Sequence, residues 1–267
     1  MILIACSLQD TASINAAQAL ISLAGLSETV PGRYDSGKIR LQVIDSILPK
    51  AEGLDAAGAE LIIFMSRHSS ASGISAFTVH PTGNWGHEAR LGGSPQMLSI
   101  AAPSPMLKIL KLFKKSPINM ESTYEATHHG PTLKTPSLFA EFGGNDATIN
   151  DKRIAGELGR IVFESAQDAA EGVKEYKTIV IGIGGTHYPK KFTDLAQNKD
   201  YAFSHIMPKH AITNGDGTDN IEMLNQAVER SSERVEKAVI DWKSINSEVR
   251  SRVIKKLSDI GIDYERV

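Results

Sequence analysis

The chain has 267 residues, of which 41% are hydrophobic and 22% are charged, which is ordinary for a globular protein with a substantial core. No window approaches the roughly 20 apolar residues that a membrane-spanning helix needs, and the first residues lack the pattern of a signal peptide, so we expect a cytoplasmic protein. The formal net charge is −2, so nucleic acid would have to bind through local basic patches.

The predicted elements alternate between strands and helices. Residues 1–6 predict a buried strand, and residues 13–24, with Asp10 or Thr11 as cap and Gly25 as stop, predict a helix. Further strands are predicted at 39–44, 61–65, 76–79, 98–101, 138–142, 178–183 and 202–206, and further helices at 105–115, 151–172, 220–242 and 244–257.

This alternation predicts an α/β fold, a three-layer α/β/α sandwich around a mixed central sheet. Residues 120–128 alternate between apolar and polar side chains, which indicates a strand that is antiparallel or at an edge. The sequence contains no repeat and no linker, so we expect one domain over 1–267, with room for a small sub-lobe.

Polar, histidine-containing segments follow several of the predicted strands. All eight histidines lie in or beside the segments 66–73, 80–86, 127–132, 182–187 and 204–210. Ligands gather at strand ends in such folds, and histidine supplies either a metal ligand or an acid–base group. The sequence therefore predicts that these segments share an active site.

Individual residues in these segments have distinct expected roles. If the strand continues through His128 and His129, their rings point to opposite faces and cannot readily share one metal ion. Glu141 lies in an apolar strand, so its carboxylate should be ion-paired, metal-bound or shifted to a raised pKa. Ser69 or Ser70 as a nucleophile would need a non-standard setting, and Cys6 is expected to be a packed, inert thiol.

Two features suggest phosphate recognition without a nucleotide-binding motif. The glycines at 182, 184 and 185 fit neither dinucleotide nor P-loop spacing, but their amides could bind an oxyanion or a phosphate. Lys190 and Lys191 follow His187 closely and could hold a phosphate at the site. A second group, Lys108, Lys111, Lys114 and Lys115, predicts a cationic helix face, although such faces are usually only solvated.

The segments 66–70, 78–84, 127–132, 139–143 and 182–188 read SRHSS, TVHPTGN, THHGPT, FAEFG and GIGGTHY. In this combination the chain resembles the archaeal-type D-aminoacyl-tRNA deacylases, a family also found in plants. The resemblance implies zinc-dependent hydrolysis of the ester between a D-amino acid, such as D-tyrosine, and tRNA. It also implies a phosphorylase- or hydrolase-like fold, related to nucleoside phosphorylases and peptidyl-tRNA hydrolases.

The resemblance and the residue pattern together yield a hypothesis for the site. His80, His128 and His187 would bind zinc, and the catalytic residues would be His68, His80, His128 and Glu141. The residues assigned to substrate binding are Arg67, Ser69, Thr82, Gly184, Gly185, Lys190 and Lys191. The partner would be aminoacylated tRNA, with no membrane or DNA partner, and the protein would be a monomer or a small homo-oligomer.

Two other interpretations remain open from the sequence. A zinc peptidase or a nucleoside phosphorylase-like enzyme could use the same scaffold, and dependence on inorganic phosphate would identify the latter. A non-catalytic tRNA-binding protein could use the lysine-rich surface, and it would bind tRNA without hydrolysis and without sensitivity to chelators.

Overall fold

The N-terminal part of the chain folds into a buried strand followed by a helix, as predicted. The computed structural model describes residues 1–69, 73–173, 177–214 and 217–267. Strand β1 spans Ile2–Ser7 and helix α1 spans Thr11–Ala24. Asp10 caps α1 by accepting hydrogen bonds from the amides at positions 12 and 13, and Gly25 ends it with φ of 59°, a conformation that favours glycine.

The other strands are, in chain order, β2 Ser27–Val30, β3 Arg33–Ser36, β4 Ile39–Ile44, β5 Leu61–His68, β6 Ala76–His80, β7 Gly83–Asn84, β8 Met97–Leu98, β9 Glu121–Tyr124, β10 Ser137–Gly143, β11 Thr178–Ile183, β12 Tyr201–Met207, β13 Lys237–Ile240 and β14 Asp263–Arg266. In the described residues they form an eight-stranded sheet in the order β2-β3-β4-β1-β5-β10-β6-β9 and a four-stranded sheet in the order β12-β11-β13-β14. Strands β7 and β8 pair separately.

The eight-stranded sheet is mixed, which confirms the predicted fold class. Strands β4, β1, β5 and β10 are parallel, whereas β6 pairs antiparallel with β10. Strand β9 lies at the edge and runs parallel to β6, so of the two predictions for 120–128 the edge position is confirmed. The sequence did not predict that the C-terminal strands form a second, parallel sheet.

The remaining helices are α2 Pro103–Lys115, α3 Asp146–Asn150, α4 Lys152–Glu171, α5 Lys190–Lys199, α6 Lys209–Ile212, α7 Leu224–Glu229 and α8 Ser247–Asp259, with 3₁₀ helices at Leu48–Lys50, Glu52–Ala57 and Ile221–Met223. Helices α1, α2 and α4 pack on one face of the large sheet. On its other face, Phe64 and Phe139 pack with Leu48 and Leu54 from the 3₁₀ helices. Both faces of the sheet are therefore covered.

Two predicted elements are wrong. The helix expected over 220–242 is instead a short 3₁₀ helix, α7 and strand β13, because the backbone after α7 pairs with another segment: Ser231 bridges to Ala101. The strand expected over 98–101 is reduced to β8, because Ala101 bridges both Ser137 and Ser231 outside a regular sheet. Tertiary pairing thus overrides the local apolar pattern in both segments.

Two further predictions concern burial. Cys6 is fully buried, and burial raises the pKa of its thiol to about 12, which confirms a packed, unreactive cysteine. Within the described ranges, no helix is both long and apolar enough to cross a membrane. The prediction of a single domain over 1–267 stays a prediction.

Candidate active site

One face of the large sheet carries a row of ionisable side chains. Glu141 on β10 lies opposite Ser66 on β5 and Thr78 on β6 in the strand register. Because side chains alternate along a strand, His68 and His80 share the face of Glu141. His68 Nδ1 lies 3.8 Å from Glu141 Oε2, and His80 Nε2 lies 3.9 Å from Glu141 Oε1.

The same face is apolar nearer to the start of β5. Phe64 stacks on Phe139 with ring centroids 4.5 Å apart, and His80 in turn stacks on Phe139 at 5.2 Å. These rings belong to the layer beneath the 3₁₀ helices. The ionisable row therefore continues a packed apolar surface. The Phe139 ring of that surface holds the ring of His80 by stacking on it.

Glu125 joins three of the histidines. It directly follows β9, and its amide donates to the carbonyl of Val79 on β6. Its buried carboxylate lies 3.0 Å from His68 Nδ1, 2.7 Å from His187 Nε2 and 3.7 Å from His128 Nε2. Glu125 is not among the site residues predicted from the sequence, although it is an acidic residue just after a strand and just before a histidine pair.

The condition under which His128 and His129 would face apart, a strand that continues through both, is not met. The strand ends at Tyr124, and His129 has φ of 43°, so the alternation of strand side chains does not apply to the pair. Their ring centroids are 4.4 Å apart, and each ring also contacts that of His80, at 4.2 Å for His128 and 5.0 Å for His129. The turn after β9 thus brings both rings to one place.

The cluster could hold metal ions. Among the described residues, three groups have ligand atoms within 4.8 Å of one another: His80 with His128 and His129, Glu125 with His128 and His187, and His68 with Glu125 and Glu141. The predicted ligands His80 and His187 thus fall in different groups, each with His128. The buried Nε2 of His80 has no hydrogen-bond partner in the described part of the chain.

The electrostatics divide the histidines into two kinds. Burial would lower the pKa of His68, but hydrogen bonds and charges from Glu125 and Glu141 outweigh it and raise the pKa to about 9. Burial and the charge of His80 lower the pKa of His129 to about 4, and burial lowers the pKa of His128 well below its usual value. His68 is therefore a cation at neutral pH, whereas the adjacent pair is neutral, as metal ligation requires.

Two cavities border the cluster. One, of about 730 Å³, is lined by Trp85, His87 and His210. The other, of about 480 Å³, is lined by residues 47–49 and Leu91. His128, His129 and His187 line both. A molecule bound in either cavity could therefore reach these three histidines.

Comparison with known proteins shows the family to which this chain belongs. A family model described as D-aminoacyl-tRNA deacylase matches residues 56–265. The chain belongs to the D-aminoacyl-tRNA deacylase family. A relative from Ignicoccus hospitalis named D-aminoacyl-tRNA deacylase is 39% identical over 76% of this chain and 80% of its own length. A relative of the same name from Thermococcus onnurineus is 35% identical over 96% of each chain.

A solved structure has the same fold. The crystal structure of a conserved protein of unknown function aligns with all of this chain and 95% of its own, with a TM-score of 0.87 and 29% identity. The family resemblance drawn from the sequence motifs is thus confirmed along with the fold.

In this deacylase-family chain, the predicted substrate-binding residues fall in different environments. Arg67 and Ser69 are exposed and line the 480 Å³ cavity, while Ser70 lies outside the described residues. Thr82 is buried, and its hydroxyl lies 2.7 Å from the Ser99 hydroxyl and 2.9 Å from the Pro131 carbonyl. The hydroxyl of Thr82 is thus already engaged within the protein.

The expectation of free amides at the glycine-rich segment is wrong for two glycines. The amide of Gly184 donates to the carbonyl of Met207, and the amide of Gly185 donates to the hydroxyl of Ser244. These bonds hold the segment against its neighbours and leave neither N–H available for an oxyanion. The two glycines instead allow the chain to turn, with φ of 98° and 76°, and so set the position of His187.

The predicted cationic residues are mostly ion-paired. At the start of α5, Lys190 Nζ lies 3.3 Å from Asp194 Oδ1 and Lys191 Nζ lies 2.6 Å from Asp241 Oδ1. On α2, Lys108 pairs with Glu164 and Asp168, and Lys111 pairs with Asp200. The basic surface is therefore weaker than the sequence suggests, because neighbouring carboxylates offset its charge.

One histidine is structural. His205 is fully buried and belongs to none of the three groups, with Nε2 3.2 Å from the Ser99 carbonyl and 3.0 Å from the Arg230 carbonyl and Nδ1 3.1 Å from the Thr127 hydroxyl. His87 and His210 line the larger cavity. The expectation that every histidine-containing segment serves one site is therefore wrong for the 204–207 stretch.

Proposed function

We propose that this protein hydrolyses the ester bond between a D-amino acid, such as D-tyrosine, and tRNA, with zinc as cofactor. The observation that supports it is the cluster of five histidines and two glutamates, buried or half-buried, that lines two cavities in a chain of this family. Aminoacyl-tRNA is then the partner. Because the substrate would be aminoacyl-tRNA, we place the activity in the cytoplasm.

The side chains of the cluster fit a zinc ion. Imidazole nitrogens and carboxylate oxygens are its usual ligands. The buried Nε2 of His80 has no hydrogen-bond partner in the described part of the chain, and a zinc ion would give this nitrogen a partner. His80, His128 and His129, or Glu125, His128 and His187, would hold it. When bound, zinc would polarise the ester carbonyl and ease deprotonation of water.

The hydrolysis requires two proton movements that the chain's own residues can serve. A water oxygen forms a bond to the ester carbonyl carbon, the bond from that carbon to the ribose oxygen breaks, and the ribose oxygen takes up a proton. His68 is held as a cation, with Nδ1 turned to Glu125. Its Nε2, 3.5 Å from the Tyr188 hydroxyl, is the proposed proton donor.

Glu141 is proposed to hold His68 and His80 in place and to accept the proton of the attacking water. Its carboxylate lies within 4 Å of both rings. Burial would raise its pKa, but the nearby imidazole rings of His68 and His80 outweigh burial and lower it, so Glu141 is ionised and able to accept a proton.

Alanine substitution tests this assignment. Glu141→Ala and His128→Ala should each lower the rate of D-tyrosine release from D-tyrosyl-tRNA by more than about 100-fold, because each removes a group of the cluster. Glu121→Ala is the matched control, since Glu121 is exposed on the edge strand. Normal turnover by both cluster variants would exclude this site.

A further inference from the structure

We propose that the two cavities bind opposite ends of one substrate. The acyl cavity, lined by Ile47, Leu48, Pro49 and Leu91, would receive the D-aminoacyl group. The nucleoside cavity, lined by Trp85, His87 and His210 among others, would receive the 3′-terminal nucleoside of the tRNA. This inference rests on the proposed deacylase function and deepens it.

The position of the shared histidines leads to two subsites. His128, His129 and His187 line both cavities and belong to the cluster that would hold the metal. An ester that reacts at these residues has an amino acid on one side of the reacting bond and a ribose on the other. The two parts of the substrate must therefore extend in different directions, one into each cavity.

The chemistry of the acyl cavity suits an amino acid. Ile47 and Leu91 are large apolar side chains that are 38% and 59% exposed, so an apolar or aromatic D-side chain would remove apolar surface from water. The carboxylates of Glu125 and Glu141 line the same cavity. The cations Arg67 and His68 line it as well, so the carboxylates offer partners to an α-ammonium group without excluding phosphate.

The nucleoside cavity suits a base and its sugar phosphate. Its volume of about 730 Å³ is the larger of the two. The aromatic rings of Trp85, His87 and His210 line it, and such rings stack on nucleobases. Its lining carboxylate, Glu88, is already paired with an arginine, 2.9 Å from Arg90 Nη2.

Tryptophan substitutions that fill one cavity or the other should change kcat/KM in different ways. We expect Ile47→Trp to lower kcat/KM for D-tyrosyl-tRNA at least about tenfold more than for D-alanyl-tRNA, because only the larger side chain needs the filled space. His210→Trp should lower kcat/KM for both substrates by similar factors, because both carry the same terminal adenosine. Leu23→Trp, on an exposed position of α1, is the control for adding a surface tryptophan.

AMP, which carries the terminal nucleoside, is a direct probe. Titration calorimetry should detect AMP binding to the wild type and to Ile47→Trp, with at least about tenfold weaker binding to His210→Trp. Leu91→Trp repeats the acyl-cavity test in case the first variant does not fold. The proposal is overturned if His210→Trp changes the D-tyrosyl to D-alanyl ratio, if neither acyl-cavity variant does, or if AMP binding is lost in Ile47→Trp.

Failure of the proposed function would look different. A wild-type protein that releases neither D-tyrosine nor D-alanine would refute the deacylase activity itself. In that case the AMP affinities of the two variants would still test the nucleoside cavity, because their measurement does not depend on deacylation. Absence of AMP binding by the wild type would then overturn the nucleoside cavity as well.

Discussion

Glu125 is the residue on which the geometry of the site depends most directly. Its two carboxylate oxygens lie within hydrogen-bond distance of rings from two different sheets, His68 on β5 and His187 after β11. Burial would raise the pKa of Glu125, but the hydrogen bond from His187 and the close approach of the His68 ring outweigh it and hold the pKa well below its usual value. The carboxylate is therefore an anion that neutralises and orients both histidines.

Replacing the Glu125 carboxylate with an amide of the same size tests this role. We expect Glu125→Gln to lower kcat/KM for D-tyrosyl-tRNA by at least about 100-fold, because His68 loses the anion that keeps it protonated. Glu121→Gln, four residues earlier and exposed, is the matched control. Equal activity of the two variants would show that Glu125 has no part in the reaction.

His205 makes a separate prediction about pH and stability. Burial lowers its pKa to about 4, against 6.5 when exposed. The unfolded chain therefore takes up a proton more readily, and the folded state loses stability as pH falls from about 6.5 to about 4. For this residue alone the loss from pH 7.5 to pH 5 is about 2 kcal/mol, from 1.36 kcal/mol per pKa unit.

Urea unfolding in the presence of a chelator measures this loss of stability at low pH. The wild type should lose about 2 kcal/mol more than His205→Gln between pH 7.5 and pH 5, because glutamine has no proton to gain. The other histidines titrate in both proteins and cancel in the difference. An identical pH dependence in the two proteins would contradict the burial of a neutral His205.

At the residue scale, much of the site could be predicted from the sequence, because polar segments directly follow apolar strands. His68, His80, His128, His187 and Glu141 were found in this way, and the structure brings them together. The prediction failed for His129, because a positive φ cannot be read from a histidine side chain. It also failed for Glu125, whose partners come from elements far apart in sequence.

At the scale of the elements, the contact between β5 and β10 positions His68. Gly143, the last residue of β10, pairs with His68, and a Cβ there would overlap the carbonyl of His68. Gly143→Ala should therefore push the end of β5 aside, destabilise the fold by about 1–3 kcal/mol and lower deacylation.

Gly156→Ala is the contrasting substitution. Gly156 lies inside α4, where an added Cβ would be in ordinary contact, 3.9 Å from the Cβ of Ala19. Alanine should raise the free energy of unfolding by about 0.5–1 kcal/mol, since glycine disfavours helix. Chemical denaturation of both variants checks the pair, and equal effects of the same sign would contradict the close approach at Gly143.

The limits of sequence-based prediction are also clear at this scale. The strands β1, β5, β10 and β11 were predicted because they are apolar runs that end at polar segments. Strand β13 was missed, because its four residues lie in a stretch with helical periodicity and acquire strand structure only by pairing with β11 and β14. The division into two sheets depends on such pairings and has no local signal.

On the scale of the whole molecule, the site lies where the two sheets meet. The segment after β9 bonds to both: the amide of Glu125 donates to the carbonyl of Val79 in the large sheet, and the amide of Thr127 donates to the carbonyl of Ile206 in the small one. The amide of Ala126 donates to the carbonyl of His187. The histidines from the two sheets are thus fixed relative to one another by backbone hydrogen bonds.

We propose that this junction forms a metal-dependent site that removes D-amino acids from tRNA. The most direct test is the release of amino acid from D-tyrosyl-tRNA and L-tyrosyl-tRNA by the same preparation, before chelation, after it and after zinc is restored, with bound metal measured at each stage. We predict release from the D-substrate alone, its loss on chelation and its return with zinc. Chelator-resistant hydrolysis, or equal release from both substrates, would contradict the account.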